Sequence, residues 1–436
     1  MSYPLWEVPL LGGGLLIAIV AVLHVFVSQF AVGGGLFLAL AGHYAYKAND
    51  LYWLDYLKRH TKFFLLVTTV FGAVSGVGIW FTIGLVSPQA TSVLIRTFVW
   101  GWAIEWCFFM IEIAAILLYY YGWNRLDAKT HQFLAWVYAI SAFLTLAVIN
   151  GIVSFMLTPG QWLETGSFWH GWINPSYFPG LIGRTGASLA LAGLYGLVTS
   201  VWQGGPEVRE RLVTYAAKFV LAAFALFAIA SVWWMAVIPP AARELAMGGA
   251  APVAIMNAMT FVFSAIILLA VFFGPYRRPM QTSITFTVVI LTLGLLATGG
   301  AEWVREGVRK PYTVYGYLYS NGHFASETPD PKGVMYKAKW SVYGAVENAP
   351  SLVAAGEDLF RLECASCHTV NGYNGIRPLV KGWTADFTYE QLGHLNTLKG
   401  YMPPFMGNDA ERKALAAYLE SLNIRKEAKS NAAAVR

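Results

Sequence analysis

Long apolar runs fill most of the chain up to about Trp303, and short polar stretches separate them. A helix that crosses the hydrocarbon core of a bilayer needs roughly 20 mostly apolar residues. Eight runs reach this length, and the sequence predicts all-α structure: a polytopic membrane bundle of about eight transmembrane helices. The runs are Leu10–Tyr46, Phe63–Val86, Val93–Tyr121, Phe133–Leu157, Phe178–Trp202, Leu212–Val237, Val253–Phe273 and Ile284–Trp303.

The pattern changes near Pro311, where Tyr, Gly, Asn, Pro and Lys become frequent. We predict a transmembrane domain over 1–311, an exposed connector over 312–350, a compact polar α-helical domain over 351–424 and a disordered tail over 425–436. Composition agrees with this division, because only 12% of the residues are charged and 57% are hydrophobic. Soluble domains carry about 25% charged residues.

The net charge of +6 does not indicate a nucleic-acid partner, because the cations lie in short loops between apolar runs. Cytoplasmic loops of membrane proteins hold an excess of Lys and Arg. Loops after odd-numbered runs hold ten such residues, and loops after even-numbered runs hold two, namely Arg96 and Arg243. The chain is therefore expected in a bacterial or archaeal inner (cytoplasmic) membrane, with its N-terminus and C-terminal domain on the periplasmic or outer side.

The C-terminal domain contains the sequence Cys364-Ala-Ser-Cys367-His368, which has the spacing of a covalent c-type haem site. Two thiols one helical turn apart bond to the haem vinyl groups, and the adjacent His368 binds the iron. Met402, beside two prolines, is the leading candidate for the second axial ligand. Methionine and histidine ligation raises the haem potential and suits electron transfer.

Met406 and His394 are the other candidates for that second ligand. The segment from Ala355 to Leu422 resembles a class I cytochrome c.

Few ionisable residues lie inside the predicted spans, where such residues are costly and functional by default. His24 lies in the middle of the first span and is a candidate haem ligand, the alternative being a structural core histidine. Glu105 and Glu112 are seven residues apart, so they share one helical face. We interpret them as a haem-site residue and a proton relay. Glu105 would lie about 18 Å from the outer start of its span at Val93.

Charged residues crowd the outer end of the eighth span: Glu302, Arg305, Glu306, Arg309 and Lys310. A snorkelling interfacial cluster explains Arg305 and Lys310 well. It explains Glu306 less well, because this residue also belongs to one of the four stretches described next.

Four stretches of the membrane domain together resemble subunit I of cytochrome bd-type oxidases. They are His24 with Gly33-Gly34-Gly35, Ala103-Ile104-Glu105 through Glu112 to Gly122-Trp123-Asn124-Arg125-Leu126, Asn150-Gly151, and Glu306-Gly-Val-Arg309-Lys310-Pro311-Tyr312. The resemblance implies that His24 and Glu306 hold high-spin haems, with Arg309 among the cofactor-binding residues. It places Glu105 at the oxygen-reducing haem and gives Glu112 a role in proton delivery.

The implied cofactors are one covalent haem c and one to three haems of type b or d in the membrane. Three departures from the family matter. Arg184 stands where the family has a histidine ligand to its low-spin haem, although Met259 matches the methionine and His170 is an alternative ligand. The long quinol-binding loop is reduced to Ile238–Pro252, so quinol oxidation is not expected. The family's last helix is replaced by the cytochrome c domain.

These features predict an oxidoreductase that receives electrons from an external c-type cytochrome or another redox protein and reduces O₂ or NO. Its expected partners also include the lipid bilayer and a further membrane subunit or a second copy of the chain. Two other interpretations remain open at this point. In the first, the chain is a non-catalytic electron-relay subunit of a larger respiratory complex. In the second, it is a transporter or structural protein with a c-haem appendage.

Overall fold

In a computed structural model of this protein, the backbone of residues 4–434 and the side chains up to residue 423 are described. Within these residues, eight helices are long and apolar enough to cross a membrane. The predicted all-α bundle of eight spans is therefore confirmed. The helices are α1 (Gly12–Ala48), α2 (Leu51–Val86), α3 (Val99–Tyr121), α4 (Ala128–Phe155), α5 (Tyr177–Gln203), α6 (Pro206–Val237), α7 (Ala251–Tyr276) and α8 (Ile284–Gly307).

Shorter elements connect these helices and build the C-terminal domain. Between the spans lie Pro88–Thr97, Trp162–Thr165, Phe168–Trp172, Pro240–Glu244 and the 3₁₀ turn Pro279–Gln281. Strands β1 (Tyr312–Val314) and β2 (Leu318–Tyr319) form an antiparallel hairpin. The elements that follow are Gly333–Lys337, the 3₁₀ turn Val346–Asn348, Leu352–Glu363, Ile376–Leu379, Ala385–Leu392, Leu395–Leu398 and Asp409–Ala434.

Four helix starts differ from the sequence expectation by five residues or more. α4 begins at Ala128 and α6 at Pro206, five and six residues before the predicted Phe133 and Leu212. α2 begins at Leu51, twelve residues before the predicted Phe63, because an amphipathic stretch joins the apolar run without a break. α3 begins at Val99, because Phe98 leaves the helical conformation (φ −121°, ψ 32°). Glu105 is thus six residues into its helix, a depth of about 9 Å rather than 18 Å.

Residues 21–77 and 97–308 form one compact unit. Within it, three consecutive glycines of α1 allow three other helices to approach closely. A Cβ at Gly33 would come within 1.9 Å of the Ser188 carbonyl oxygen of α5, and Cβ atoms at Gly34 and Gly35 would strike aromatic rings of α2 and α4. The glycine run that contributes to the family resemblance therefore has a packing role, since any side chain there would separate the helices.

A second compact unit contains residues 1–20, 78–96 and 309–436, so it joins the C-terminal domain to the first turns of α1 and the last turns of α2. The amide of Tyr373 donates to the Leu10 carbonyl at 2.8 Å. Arg361 pairs with Glu7 at 3.1 Å between Nε and Oε1. The C-terminal domain and the N-terminal segment therefore contact each other within this unit.

The segment predicted as an exposed connector is partly buried in the C-terminal domain. Val334 and Met335 lie in its hydrophobic core, and their backbone amides donate to the carboxylate of Glu411 at 2.9 and 2.8 Å. Buried amides need such acceptors, and a distant glutamate was not recognisable as one from the sequence. The last helix continues to Ala434 through most of the predicted tail. Residues 435 and 436 lie outside the described residues.

Candidate haem sites

The haem-attachment motif begins where helix Leu352–Glu363 ends. The Cys364 amide still bonds to the Phe360 carbonyl at 2.9 Å, and the His368 amide bonds to the Cys364 carbonyl at 2.8 Å. These bonds form a tight turn that holds Cys364 and Cys367 about one turn apart. Both thiols are free of disulfide bonds. The arrangement leaves two sulfur atoms for the covalent attachment that the motif predicts.

The imidazole of His368 is oriented in the way that iron ligation requires. Its Nδ1 donates to the carbonyl of Asn374 at 3.0 Å, and Asn374 adopts a positive φ of 50°. Asn374 is itself held, since its Nδ2 donates to the Cys367 carbonyl at 2.8 Å. With the proton on Nδ1, Nε2 carries the lone pair, and it has no hydrogen-bond partner among the described residues. This donor set fits a c-type haem.

Burial supports the same protonation state of His368. Desolvation lowers the pKa of this imidazole, although the bond to the Asn374 carbonyl acts in the opposite direction. Only the neutral form has a lone pair to offer a metal.

The three candidates for the second axial ligand lie in different environments. Met406 is only 5% exposed and belongs to the hydrophobic core of the domain. His394 is exposed, at the start of the short helix Leu395–Leu398. Met402 is half-buried and outside that core. Met402 therefore remains the leading candidate, because its thioether is not already used in core packing.

In the membrane domain, His24 of α1 faces α2. The Ser75 hydroxyl donates to the Phe71 carbonyl at 2.7 Å, so its oxygen accepts from Nδ1 of His24 at 3.1 Å. A π-helical turn that ends at Phe71 precedes this contact. Gly76 gives room for the ring, since a Cβ there would lie 3.2 Å from Cε1 of His24. The Nδ1 proton leaves the Nε2 lone pair available, which fits a haem ligand.

The two glutamates of α3 differ in their contacts. Glu112 is 8% exposed, and its carboxylate accepts a hydrogen bond from the hydroxyl of Thr145 in α4. Glu105 makes no hydrogen bond or ion pair among the described residues. Glu105 is half-buried. Carboxylates removed from water normally have such partners, so the lack of one at Glu105 fits a residue that faces a cofactor.

The C-terminal end of α8 holds an ion cluster that includes the residue at the expected low-spin ligand position. Arg184 of α5 approaches Glu302 at 3.6 Å, and Arg305 pairs with the other Glu302 oxygen at 2.6 Å. Glu306 lies 4.0 Å from Arg305, and 41% of its side chain is exposed. Arg309 is buried and donates to the Thr313 carbonyl at 3.3 Å.

A low-spin haem on α5 and α7 does not fit these residues. A guanidinium has no lone pair to offer to iron, and Arg184 is already engaged by Glu302. Met259 in α7 is half-buried, but a thioether alone supplies only one of two axial ligands. The alternative ligand, His170, lies exposed in the short helix Phe168–Trp172, and its Nδ1 is 2.9 Å from the Thr165 hydroxyl.

Sequence reasoning missed several side chains that define these sites. Ser75 and Thr145 are ordinary helix residues whose roles depend on which helix packs opposite them. His60 lies outside the predicted span Phe63–Val86, yet it is fully buried within α2, and its Nδ1 is 2.8 Å from the Thr199 hydroxyl. The amphipathic pattern of 51–65 was the signal that would have extended α2 and buried this histidine.

The described residues define a polytopic helical membrane protein that carries a cytochrome c-type domain. The family model described as "Cytochrome bd terminal oxidase subunit I" matches residues 15–247, and the chain belongs to this family. The model described as "Cytochrome C oxidase, cbb3-type, subunit III" matches residues 351–419. This combination indicates respiratory electron transfer by haem groups and confirms the resemblances seen in the sequence.

A solved structure of a bd oxidase from Geobacillus thermodenitrificans is similar in fold. Its TM-score is 0.61 at 14% sequence identity, over 68% of this chain and 86% of that chain. An identity this low shows the fold alone. A comparison with curated proteins finds no match.

Proposed function

We propose that this chain is a membrane-bound respiratory oxidoreductase that receives electrons through its cytochrome c domain and reduces O₂ or NO in its membrane domain. One observation carries the proposal. The haem-attachment segment belongs to the same compact unit as the first turn of α1, where Thr369 lies 3.3 Å from the position of a Cβ on Gly12. α1 is also the helix that carries His24.

The bound haems supply one-electron transfer and gas binding in this proposal. The protein contributes ligands, orientation and protons. His24 offers Nε2 because Ser75 holds the Nδ1 proton, and Glu105 presents a carboxylate without a protein partner. Glu112 is the candidate proton donor to this region, since its carboxylate is joined to the Thr145 hydroxyl rather than to a cation. Glu306, at the end of α8, is the other candidate ligand of a high-spin membrane haem.

The electron donor is proposed to be an external c-type cytochrome or a similar redox protein rather than quinol. The segment between α6 and α7 contains only the five-residue helix Pro240–Glu244 and one turn. It is short for a dedicated quinol site. Lys and Arg placement in the loops supports an outer location for the cytochrome c domain in a cytoplasmic membrane. A further membrane subunit or a second copy of this chain is the expected partner within the bilayer.

A carbon monoxide difference spectrum of the dithionite-reduced, detergent-purified protein tests the proposal. An open haem site shifts the b- or d-type bands on binding the gas, and we expect such a shift. The shift should disappear in His24→Ala and persist in the matched control His43→Ala, an exposed residue of the same helix. Membrane haems that do not respond to the gas would instead support an electron-relay subunit. A protein that contains only the covalent haem would contradict both.

A further inference from the structure

A cluster of polar residues is buried beside the haem-attachment motif, outside the sites described above. His323 is 6% exposed and lies between two carboxylates. Its Nε2 is 2.7 Å from Oε1 of Glu363, and its Nδ1 is 3.2 Å from Oε2 of Glu327. Asn321 donates from Nδ2 to the other Glu363 oxygen at 3.1 Å.

The geometry indicates that His323 carries a charge. A neutral imidazole donates from only one nitrogen, whereas both nitrogens here face carboxylate oxygens and must donate to them. Burial opposes the charge, but the attraction and hydrogen bonds of Glu363 and Glu327 outweigh it and raise the pKa of His323. Lys337 is a further charged group that lines the same cavity as the imidazole, and it pairs with Asp330 at 3.2 Å.

This cluster is connected both to the haem-attachment motif and to a route for water. Glu363 directly precedes Cys364 in the chain, and Ser320 lies 3.8 Å from the sulfur of Cys367. A cavity of about 190 Å³ borders the imidazole. This volume is large enough for water molecules, and Gln89, Glu327 and Lys337 offer them polar contacts.

We propose that His323, Glu363 and Glu327 form a proton-binding site coupled to the c-type haem, so that the haem and this cluster take up an electron and a proton together. The inference rests on haem attachment at Cys364 and Cys367. Reduction changes ferric to ferrous iron by one electron from the external donor and removes one positive charge. The imidazole then binds a proton from the cavity water more tightly, so the net charge of the region is unchanged.

The sign of the pH dependence follows from this coupling. The oxidised haem repels the imidazolium, so the proton leaves His323 at a lower pH in the oxidised protein than in the reduced protein. Between those two values the midpoint potential falls as the pH rises. Because the carboxylates raise the pKa of His323, the fall lies at a higher pH than it would for the same imidazole without Glu363 and Glu327. A tenfold difference in proton affinity corresponds to about 59 mV for one electron.

The experiment is a spectroelectrochemical titration of the c-type haem in the full-length holoprotein in detergent, at a series of pH values. We expect the wild-type potential to fall with pH, His323→Gln to remove the dependence, and Glu363→Gln to move it to lower pH. Glu357→Gln is the matched control, because it removes a carboxylate from the same helix whose side chain is 45% exposed. It should behave as the wild type.

A pH-independent wild-type potential would overturn the proposal without any variant, and so would an unchanged slope in His323→Gln. Covalent haem is quantified in each sample before the titration. A chain without covalent haem overturns both this proposal and the proposed function, whereas a haem-loaded chain with a flat potential overturns only this one.

Discussion

Replacing Ser75 by Ala is expected to weaken haem retention in the membrane domain while leaving His24 in its helix. The hydroxyl accepts from Nδ1 of His24 at 3.1 Å, and Ser75 is only 9% exposed, so solvent does not replace it easily. Leaving a buried donor without its acceptor costs about 1–3 kcal/mol. This corresponds to a loss of affinity of roughly 5- to 150-fold, which agrees with the roughly 10- to 100-fold effects of removing partners of metal-bound histidines.

The covalent haem expected in the C-terminal domain would provide an internal standard for the assay. The ratio of extractable haem to covalent haem is measured after incubation with a haem-scavenging apoprotein, for the wild type and for Ser75→Ala. Ser28→Ala is the matched control, because Ser28 lies in α1 and its hydroxyl donates only to the Val25 carbonyl of its own helix. It should retain haem as the wild type does.

Two outcomes would refute the reasoning about Ser75. If Ser75→Ala kept its haem while His24→Ala lost it, the hydroxyl would not orient the ligand. If Ser28→Ala lost haem to the same extent, the effect would reflect general loosening of helix packing. The conservative variant Ser75→Thr, which retains a hydroxyl, is expected to recover much of the affinity.

Three further predictions concern other residues. Glu411→Ala removes acceptors from three buried or half-buried amides and should destabilise the C-terminal domain by roughly 3–5 kcal/mol in denaturant titrations, with Glu357→Ala within about 0.5 kcal/mol of wild type. Met402→Ala should lower the midpoint potential of the c-type haem, whereas Met406→Ala should keep the potential and cost roughly 2–5 kcal/mol of stability. Glu112→Gln should slow gas reduction at least tenfold with unchanged haem content, which separates proton delivery from haem binding.

Much of the membrane domain was predictable, because each span is encoded by contiguous apolar residues. The errors in that prediction have local causes. The start of α2 was missed because residues 51–65 bury one face and expose the other, so their mean hydropathy is low. The break at Phe98 was missed because an aromatic residue gives no breaker signal, and its side chain leaves the helix pattern to pack against Phe155 and Phe168.

The connector was less predictable, for a different reason. Its Tyr, Gly and Pro content is typical of exposed loops, yet Val334 and Met335 are buried because Glu411 supplies the acceptors that their amides need. Asp358 does the same for the Ser341 hydroxyl and the Val342 amide at 2.7 and 2.9 Å. A carboxylate that serves as a buried acceptor has no sequence signature that separates it from a surface carboxylate.

The sequence by itself determined the number of spans and singled out the candidate haem-attachment motif with its candidate histidine ligand, because each depends on residues that are adjacent in the chain or repeat at a fixed interval. Only the tertiary structure decided which groups act on those ligands. His24 and Ser75 are 51 residues apart, Glu112 and Thr145 are 33 apart, and His323 and Glu363 are 40 apart. These pairs meet because helices pack at distances and rotations set by many side chains at once, and no local pattern contains that information.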